Sequence, residues 1–264
     1  MNNKKTLVFN TDLDNTIIYS YKHDIGNDKI NVEVYEDREN SFITKKTERL
    51  LKEVNEKVLL VPTTTRTIEQ YKRIDLGIGV PKYALTCNGG VLLKDGVRDD
   101  KWYKESLELV KDCKSESVRA VDFLEKDENR TLDVRFIEEL FVYTKSNEPE
   151  NTIGFLKSNL NTDLVDVFNN GVKVYVVPKT LSKGMAIKRF KKLFDDALCI
   201  AAGDSEFDIS MLNEADMAIA PQKILDICER IDESLNENVV VADDKTIFSE
   251  KVLEFVLENC DICN

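Results

Sequence analysis

The chain has 264 residues, with 37 Lys and Arg against 49 Asp and Glu, a formal charge of −12 and a hydrophobic share of 42%. That apolar share builds a real core and excludes wholesale disorder, and 10 Gly with 5 Pro exclude a collagen or a low-complexity linker. The acidic balance argues against a general nucleic-acid or anionic-membrane binder, so an anionic substrate needs a metal and a few local cations at one site.

The elements follow in chain order. Leu7-Val8-Phe9 is a compact strand that runs to Asp12. Residues 17–43 hold the alternating Ile30, Val32, Val34 and Phe42, a hairpin pattern over the end of that strand. Residues 44–56 space Leu50, Leu51 and Val54 along one helix face. Val58–Val61 is the next strand and leads to Pro62 and three threonines. Thr67 is placed to cap a helix carrying Ile68, Tyr71 and Ile74. Strands at 83–86 and 91–93 flank the turn Asn88-Gly89-Gly90.

The middle changes character. Residues 101–126 read as one long charged helix, followed by strands at 131–136 and 140–144, a helix at 149–160 and a strand at 164–168. Asn169-Asn170-Gly171 is a hairpin turn into 172–177. Hairpins imply an antiparallel sheet, so this region is predicted as an inserted α+β unit at 94–178. Residues 1–93 and 179–264 then form the α/β core. Strand–helix alternation resumes there, with a basic helix at 182–194, strands at 198–202, 217–220 and 239–241, and a closing helix at 248–257. The predicted fold class is a doubly wound parallel-sheet core of Rossmann type, with the α+β unit inserted.

No apolar run approaches the roughly 20 residues that cross a bilayer, and the first residues lack the apolar stretch of a signal peptide. With no export signal, the six cysteines read as reduced thiols and the expected location is cytoplasmic. Cys260 and Cys263 have the spacing of a redox or zinc pair, but no second pair accompanies them.

In an open parallel sheet, ligands bind beyond the carboxyl ends of the strands. Three polar clusters sit at such ends. In the first, Asp12 and Asp14 leave a strand at i and i+2. They read as a nucleophile and an acid/base partner around Mg²⁺, or as an ordinary Asx turn or helix cap. In the second, Asp204 and Asp208 open a helix, as metal ligands or as a plain acidic first turn that complements the helix dipole. The third, Thr63-Thr64-Thr65-Arg66, suits a phosphate cradle or a helix cap beside a solvated Arg. Lys183 opens a helix where the dipole disfavours a cation, so it is either a partner of Asp12 and phosphate or one of many surface lysines. His23, the single histidine, and Trp102 with Tyr103 read as structural side chains, and Asp243-Asp244 as a solvated loop.

Taken in order, Asp12-Leu13-Asp14-Asn15-Thr16, then Thr64-Thr65-Arg66, then Lys183, then Gly203-Asp204-Ser205-Glu206-Phe207-Asp208 resemble the four motifs of the haloacid dehalogenase superfamily of phosphohydrolases. The insertion sits where that superfamily carries a type IIB cap, and Asn88-Gly89-Gly90 is similar to a turn of its sucrose-phosphatase-like and Cof-like branch. Two departures stand out. Thr65 replaces the usual Gly, which weakens a phosphate role for Arg66, and Phe207 replaces a usual Asn.

The resemblance implies that Asp12 is the nucleophile and Asp14 the acid/base. It implies that Thr64 and Lys183 hold the phosphoryl group, with Arg66, Asn88 and Gly89 in the substrate site. It further implies Mg²⁺ on Asp12, the backbone carbonyl of Asp14, Asp204 and Asp208. The expected activity is hydrolysis of a small phosphorylated metabolite, with a sugar phosphate favoured by the resemblance alone. Two alternatives stay open: a phosphomutase of the same superfamily and a receiver-like phosphoacceptor module. The inserted unit and Asp14 count against the receiver, which has no use for an acid/base two residues beyond its phosphoacceptor.

Overall fold

A computed structural model describes residues 6–194 and 197–260. The chain opens with β1 (Leu7–Thr11), β2 (Tyr19–Ser20), β3 (Lys29–Tyr35), β4 (Arg38–Thr44), α1 (Lys45–Lys57), β5 (Leu59–Pro62) and α2 (Ile68–Tyr71). A small antiparallel sheet follows, β6 (Tyr83–Thr86), β7 (Val91–Lys94) and β8 (Val97–Arg98). Next come α3 (Asp100–Leu109), α4 (Lys114–Glu125), β9 (Arg135–Ile137), β10 (Phe141–Lys145), α5 (Pro149–Asn159), β11 (Val165–Asn170) and β12 (Lys173–Pro178). The chain closes with α6 (Lys183–Lys191), β13 (Leu198–Ala202), α7 (Glu206–Glu214), β14 (Met217–Pro221), α8 (Ile224–Ile231), β15 (Val239–Ala242) and α9 (Phe248–Asn259). Among the described residues, no helix is long and apolar enough to cross a membrane.

The chain divides into two compact units, residues 1–99 with 182–264, and residues 100–181. The division falls a few residues from the expected 94 and 178. The first boundary moves because Val97 and Arg98 still pair with β7, as β8.

The larger unit is built on a parallel sheet in the order β15-β14-β13-β1-β5. From β1 the chain steps through α1 to β5, and from β13 it steps through α7 to β14, in the opposite direction. Right-handed crossovers put those two helices on opposite faces, which makes the sheet doubly wound. Every residue of β1 is buried, as a strand covered on both faces requires. The direction of winding reverses between β1 and β13, so ligand chemistry belongs at the carboxyl ends of those two strands. The hairpin expected in residues 17–43 is β3 paired antiparallel with β4, and β2 adds a third strand.

Thr44 caps α1, and its side chain accepts the Thr47 amide at 3.0 Å. Thr67 caps α2 as expected, but that helix ends at Tyr71, before Ile74. The Ile74 backbone bridges Glu33 of β3 instead.

The smaller unit is a four-stranded antiparallel sheet, β11-β12-β10-β9, with α4 and α5 packed on it. Ala120, Leu124, Ile153, Leu156, Val142 and Val176 fill the space between the layers. The predicted long helix at 101–126 is two helices. Buried Val110 and Cys113 occupy the break, and the Cys113 thiol donates to the Leu164 carbonyl at 3.3 Å. The strand expected at 131–136 starts only at Arg135. The Asn169-Asn170-Gly171 turn shifts by one residue: Asn170 stays paired with Lys173, and Gly171 turns with φ 57°. Cys260 is buried just past α9, whereas Cys263 lies outside the described residues.

Candidate active site

Asp12 follows β1 directly, and Asp204 lies two residues beyond β13. Adjacent parallel strands therefore deliver both carboxylates to one end of the sheet. The Asp12 amide donates to the Ala202 carbonyl at 2.9 Å, which ties the two strand ends together. Asp208 sits in the first turn of α7. One carboxylate oxygen of each of Asp12, Asp204 and Asp208 lies within 4.8 Å of the others, and all three residues are buried.

Lys183 joins them from the first turn of α6. Its ammonium donates to Asp12 Oδ1 at 2.5 Å and to Asp208 Oδ1 at 2.6 Å. The side chain is 1% exposed, so this is a buried cation held by buried anions. Burial opposes the charge on Lys183, but Asp12 and Asp208 outweigh it and hold its pKa above the usual lysine value. Burial pushes the Asp12 carboxyl well above its ordinary range; Lys183 pulls it back, and the carboxylates around it push it further up. Burial, reinforced by Asp208, raises Asp204 to about 6 against the pull of Lys223. Three buried carboxylates against the two ammoniums of Lys183 and Lys223 leave the cluster short of positive charge.

Two close approaches shape this end of the sheet. A Cβ on Gly203 would lie 2.3 Å from Asp208 Cβ, so only glycine lets Asp208 fold back over the strand end. Asp208 Oδ2 then accepts the amides of Asp204 and Ser205, each at 3.0 Å, and the Ser205 hydroxyl at 2.8 Å. The helix-capping reading of Asp208 and its place in the acidic cluster thus hold together, one oxygen for each. Gly89 has φ +83°, and a Cβ there would meet Ala186 Cβ at 2.2 Å. The Asn88-Gly89 turn therefore packs directly on the helix that carries Lys183.

Thr64 is fully buried beside this turn. Its carbonyl accepts the Asn88 amide at 3.0 Å, and its Oγ1 accepts the Arg66 amide at 3.1 Å. That arrangement leaves the Thr64 hydroxyl proton for another acceptor.

Asp14 and Arg66 are elsewhere. Asn15, at φ 59°, turns the chain sharply after Asp14, and the Asp14 side chain is 49% exposed. Both of its oxygens accept from Arg66, Oδ1 from Nη2 at 2.7 Å and Oδ2 from Nε at 2.8 Å. Arg66 also donates to both oxygens of Glu33, at 2.8 and 3.1 Å, and to the Gln70 carbonyl at 3.4 Å. These bonds occupy all five N–H donors of the guanidinium. Arg66, expected as a phosphate ligand, is therefore engaged by protein carboxylates, and the Asp14 carboxylate stands apart from the acidic cluster.

Two residues that sequence reasoning missed belong to this region. Lys223 ion-pairs with Asp204 from the residue before α8. The signal was its position just past β14, a neighbour of β13. Glu33 is fully buried, although alternation with Val32 and Val34 put it on the polar face. Register shifts on both sides of Glu33 mark a bulge that turns it inward. His23 is exposed, with Nδ1 3.2 Å from Ser20 Oγ, and Trp102 is buried at 4% exposure.

A doubly wound sheet with buried acidic residues and a buried lysine at its switch point marks the chain as an α/β protein whose ligand chemistry lies at strand ends. The family model of haloacid dehalogenase-like hydrolases matches residues 96–243, more than half of the chain, and the chain belongs to that family. The match takes in Lys183, Asp204 and Asp208; Asp12, Asp14 and Thr64 precede it.

No curated protein matches the sequence. Among solved structures, the sucrose-phosphatase of Synechocystis sp., in complex with sucrose and phosphate, is similar at 15% identity and TM-score 0.61, with 98% of each chain covered. A haloacid dehalogenase-like hydrolase of Bacillus subtilis is similar at 15% identity and TM-score 0.56, over 95% of this chain and 98% of the other. A superfamily phosphatase of Bacteroides thetaiotaomicron is similar at 16% identity and TM-score 0.52, over 97% and 96%. These likenesses concern the fold.

Proposed function

We propose that the chain is a Mg²⁺-dependent phosphatase of small organic phosphate monoesters, with sugar phosphates as the favoured class. The observation that carries this reading is the meeting of Asp12, Asp204 and Asp208 around the ammonium of Lys183 at the switch point. The solved structures that share the fold, a sucrose-phosphatase among them, support the sugar preference.

The donor set suits Mg²⁺. The ion takes hard oxygen ligands, and three buried carboxylates against the ammoniums of Lys183 and the half-exposed Lys223 still lack positive charge. Asp12, Asp204, Asp208 and the Asp14 backbone carbonyl would hold it. When bound, it would offset the repulsion between an anionic nucleophile and an anionic phosphate.

A carboxylate oxygen of Asp12 attacks phosphorus as the bond to the leaving oxygen breaks, and Asp14 gives that oxygen its proton. Water then attacks the phosphorus of the aspartyl phosphate. Asp14 takes the water proton, the bond to Asp12 breaks, and inorganic phosphate leaves. Lys183 uses two of its three N–H donors on Asp12 and Asp208 and turns the third to a phosphoryl oxygen, where the Thr64 hydroxyl joins it. Asn88 and Gly89 shape the turn behind them. In this reading residues 100–181 are the cap that excludes water and selects the leaving group. The thiols of Cys113, Cys199 and Cys228 agree with a reducing, cytoplasmic setting.

The test is phosphate release from a panel of sugar phosphates, other phosphorylated metabolites and p-nitrophenyl phosphate, with Mg²⁺ and with EDTA. The expected result is release that EDTA stops and that Asp12→Asn lacks. Turnover of no phosphate ester, or turnover unchanged in Asp12→Asn, contradicts the reading. An isomerised sugar phosphate as product identifies a phosphomutase instead.

A further inference from the structure

Glu33 is fully buried, far from the carboxyl ends of the parallel strands in sequence, yet it is the most densely bonded carboxylate in its region. It accepts from Ser41 Oγ at 2.6 Å, Asn40 Nδ2 at 2.8 Å, Arg66 at 2.8 and 3.1 Å and Arg73 Nε at 3.2 Å. The β3–β4 hairpin that carries it is anchored by the Asp75 amide, which donates to the Val32 carbonyl at 2.9 Å. The bulge at Glu33 breaks the alternation of a hairpin that would otherwise need no buried charge.

A buried ion pair is weak as a stabiliser, because an apolar pair of similar volume avoids the desolvation cost. The question is therefore what this one orients. The answer lies at the other end of Arg66. The guanidinium stands between two carboxylates, and its Nε edge holds both oxygens of Asp14 in a bidentate fork. Asp14 is half exposed, whereas Arg66 is 12% and Glu33 0% exposed. Each Asp14 oxygen uses one lone pair on Arg66 and keeps the other.

We propose that Glu33 is a positioning residue: it locks Arg66, and Arg66 fixes which edge of Asp14 faces the reacting ester. The inference rests on the phosphatase reading, in which Asp14 passes a proton to the leaving oxygen as the bond from that oxygen to phosphorus breaks. Misplacing a proton donor by about 1 Å is enough to lose up to about a hundredfold in rate. Glu33 touches no substrate; it acts through Arg66 alone.

A leaving group that needs no proton separates this role from a merely structural one. The experiment compares kcat/KM for an alkyl sugar phosphate and for p-nitrophenyl phosphate in wild type, Glu33→Gln, Arg66→Lys and Arg73→Met. In Glu33→Gln the alkyl-to-aryl ratio of kcat/KM is expected to fall about tenfold or more, within the range of general acid catalysis. Arg66→Lys, which keeps the charge and loses the two-sided fork, is expected to show the same selective fall and serves if Glu33→Gln does not fold. Arg73→Met removes a cation from Glu33 and leaves the Asp14 fork intact, so its ratio is expected to match wild type. A ratio unchanged in folded Glu33→Gln, one unchanged in Arg66→Lys, or one lowered equally in Arg73→Met, overturns the inference while the phosphatase reading stands. The alkyl substrate is the sugar phosphate of the panel that wild type turns over fastest, and a wild type silent on the whole panel removes the reading and the inference with it.

Discussion

Asp12 and Asp14 are two residues apart and live in opposite surroundings. Asp12 is 6% exposed, faces the buried ammonium of Lys183 and shares a small volume with two more carboxylates. Asp14 has a half-exposed side chain and is gripped by a guanidinium that a second, buried carboxylate holds from behind. One region sets three carboxylates against two ammoniums, Lys183 and Lys223, and so concentrates negative charge. The other matches two carboxylates, Asp14 and Glu33, with two guanidiniums, Arg66 and Arg73. The positive φ of Asn15 turns the chain between these surroundings. The contrast suggests a division of labour, with a cation-hungry nucleophile site and a charge-balanced arm for proton transfer.

Removing the Asp12 carboxylate tests that division hardest. Asp12→Asn is expected to lower turnover by at least about 10³-fold with an unchanged far-UV circular dichroism spectrum. Retained turnover would make Asp12 and Asp14 equivalent and dissolve the contrast.

Lys183→Met leaves Asp12 and Asp208 buried without their cation. It is expected to destabilise the fold by about 3–5 kcal/mol in denaturant titrations, with partial recovery in saturating Mg²⁺. Recovery of the same size in the presence of EDTA would show that no divalent ion enters the cluster.

Acid sharpens the other side. Burial alone would raise Glu33, but the hydrogen bonds and charge of Arg66, with Ser41 and Asn40, lower its carboxyl from 4.5 to about 2. A depressed folded-state value means that the stabilisation is complete above about pH 4.5 and is lost as pH falls through about 2. Its size is about 3 kcal/mol. Stability curves across that window should therefore be flatter in Glu33→Gln than in wild type, and identical slopes would disconnect Glu33 from its two arginines.

The smallest effect belongs to Lys223, whose side chain is 51% exposed and pairs with Asp204. Lys223→Met removes a competing cation and is expected to tighten Mg²⁺ binding about twofold to fivefold by calorimetry, the range of an exposed ion pair. Weaker binding would mean that Lys223 supports the ion rather than competing with it.

The parallel core was readable because its strands are short apolar runs that end in polar clusters. Leu7-Val8-Phe9 before Asp12 and Leu198–Ala202 before Asp204 announce both the strands and the end where chemistry collects. Where sequence reading failed, local pattern was overruled by tertiary packing. Residues 101–126 carry no Gly or Pro, so nothing local marked the break at Val110–Cys113, where inward-facing apolar side chains decide. Glu33 was hidden for the same kind of reason. Alternation puts it on the solvent face, and only the bulge reverses it. Arg66 was visible as a charged residue beside a strand end, but its partners lie 52 and 33 positions away in sequence, beyond any local spacing rule.

The central claim is that a carboxylate oxygen of residue 12 takes the phosphoryl group. The most direct measurement uses Asp14→Asn, in which water lacks its base, with p-nitrophenyl phosphate, whose leaving group needs no proton, in the presence of Mg²⁺. After an acid quench and digestion, mass spectrometry should find the phosphoryl mass on the peptide that carries Asp12. Release of p-nitrophenol with no adduct, or with the adduct on a peptide that lacks Asp12, would contradict the account.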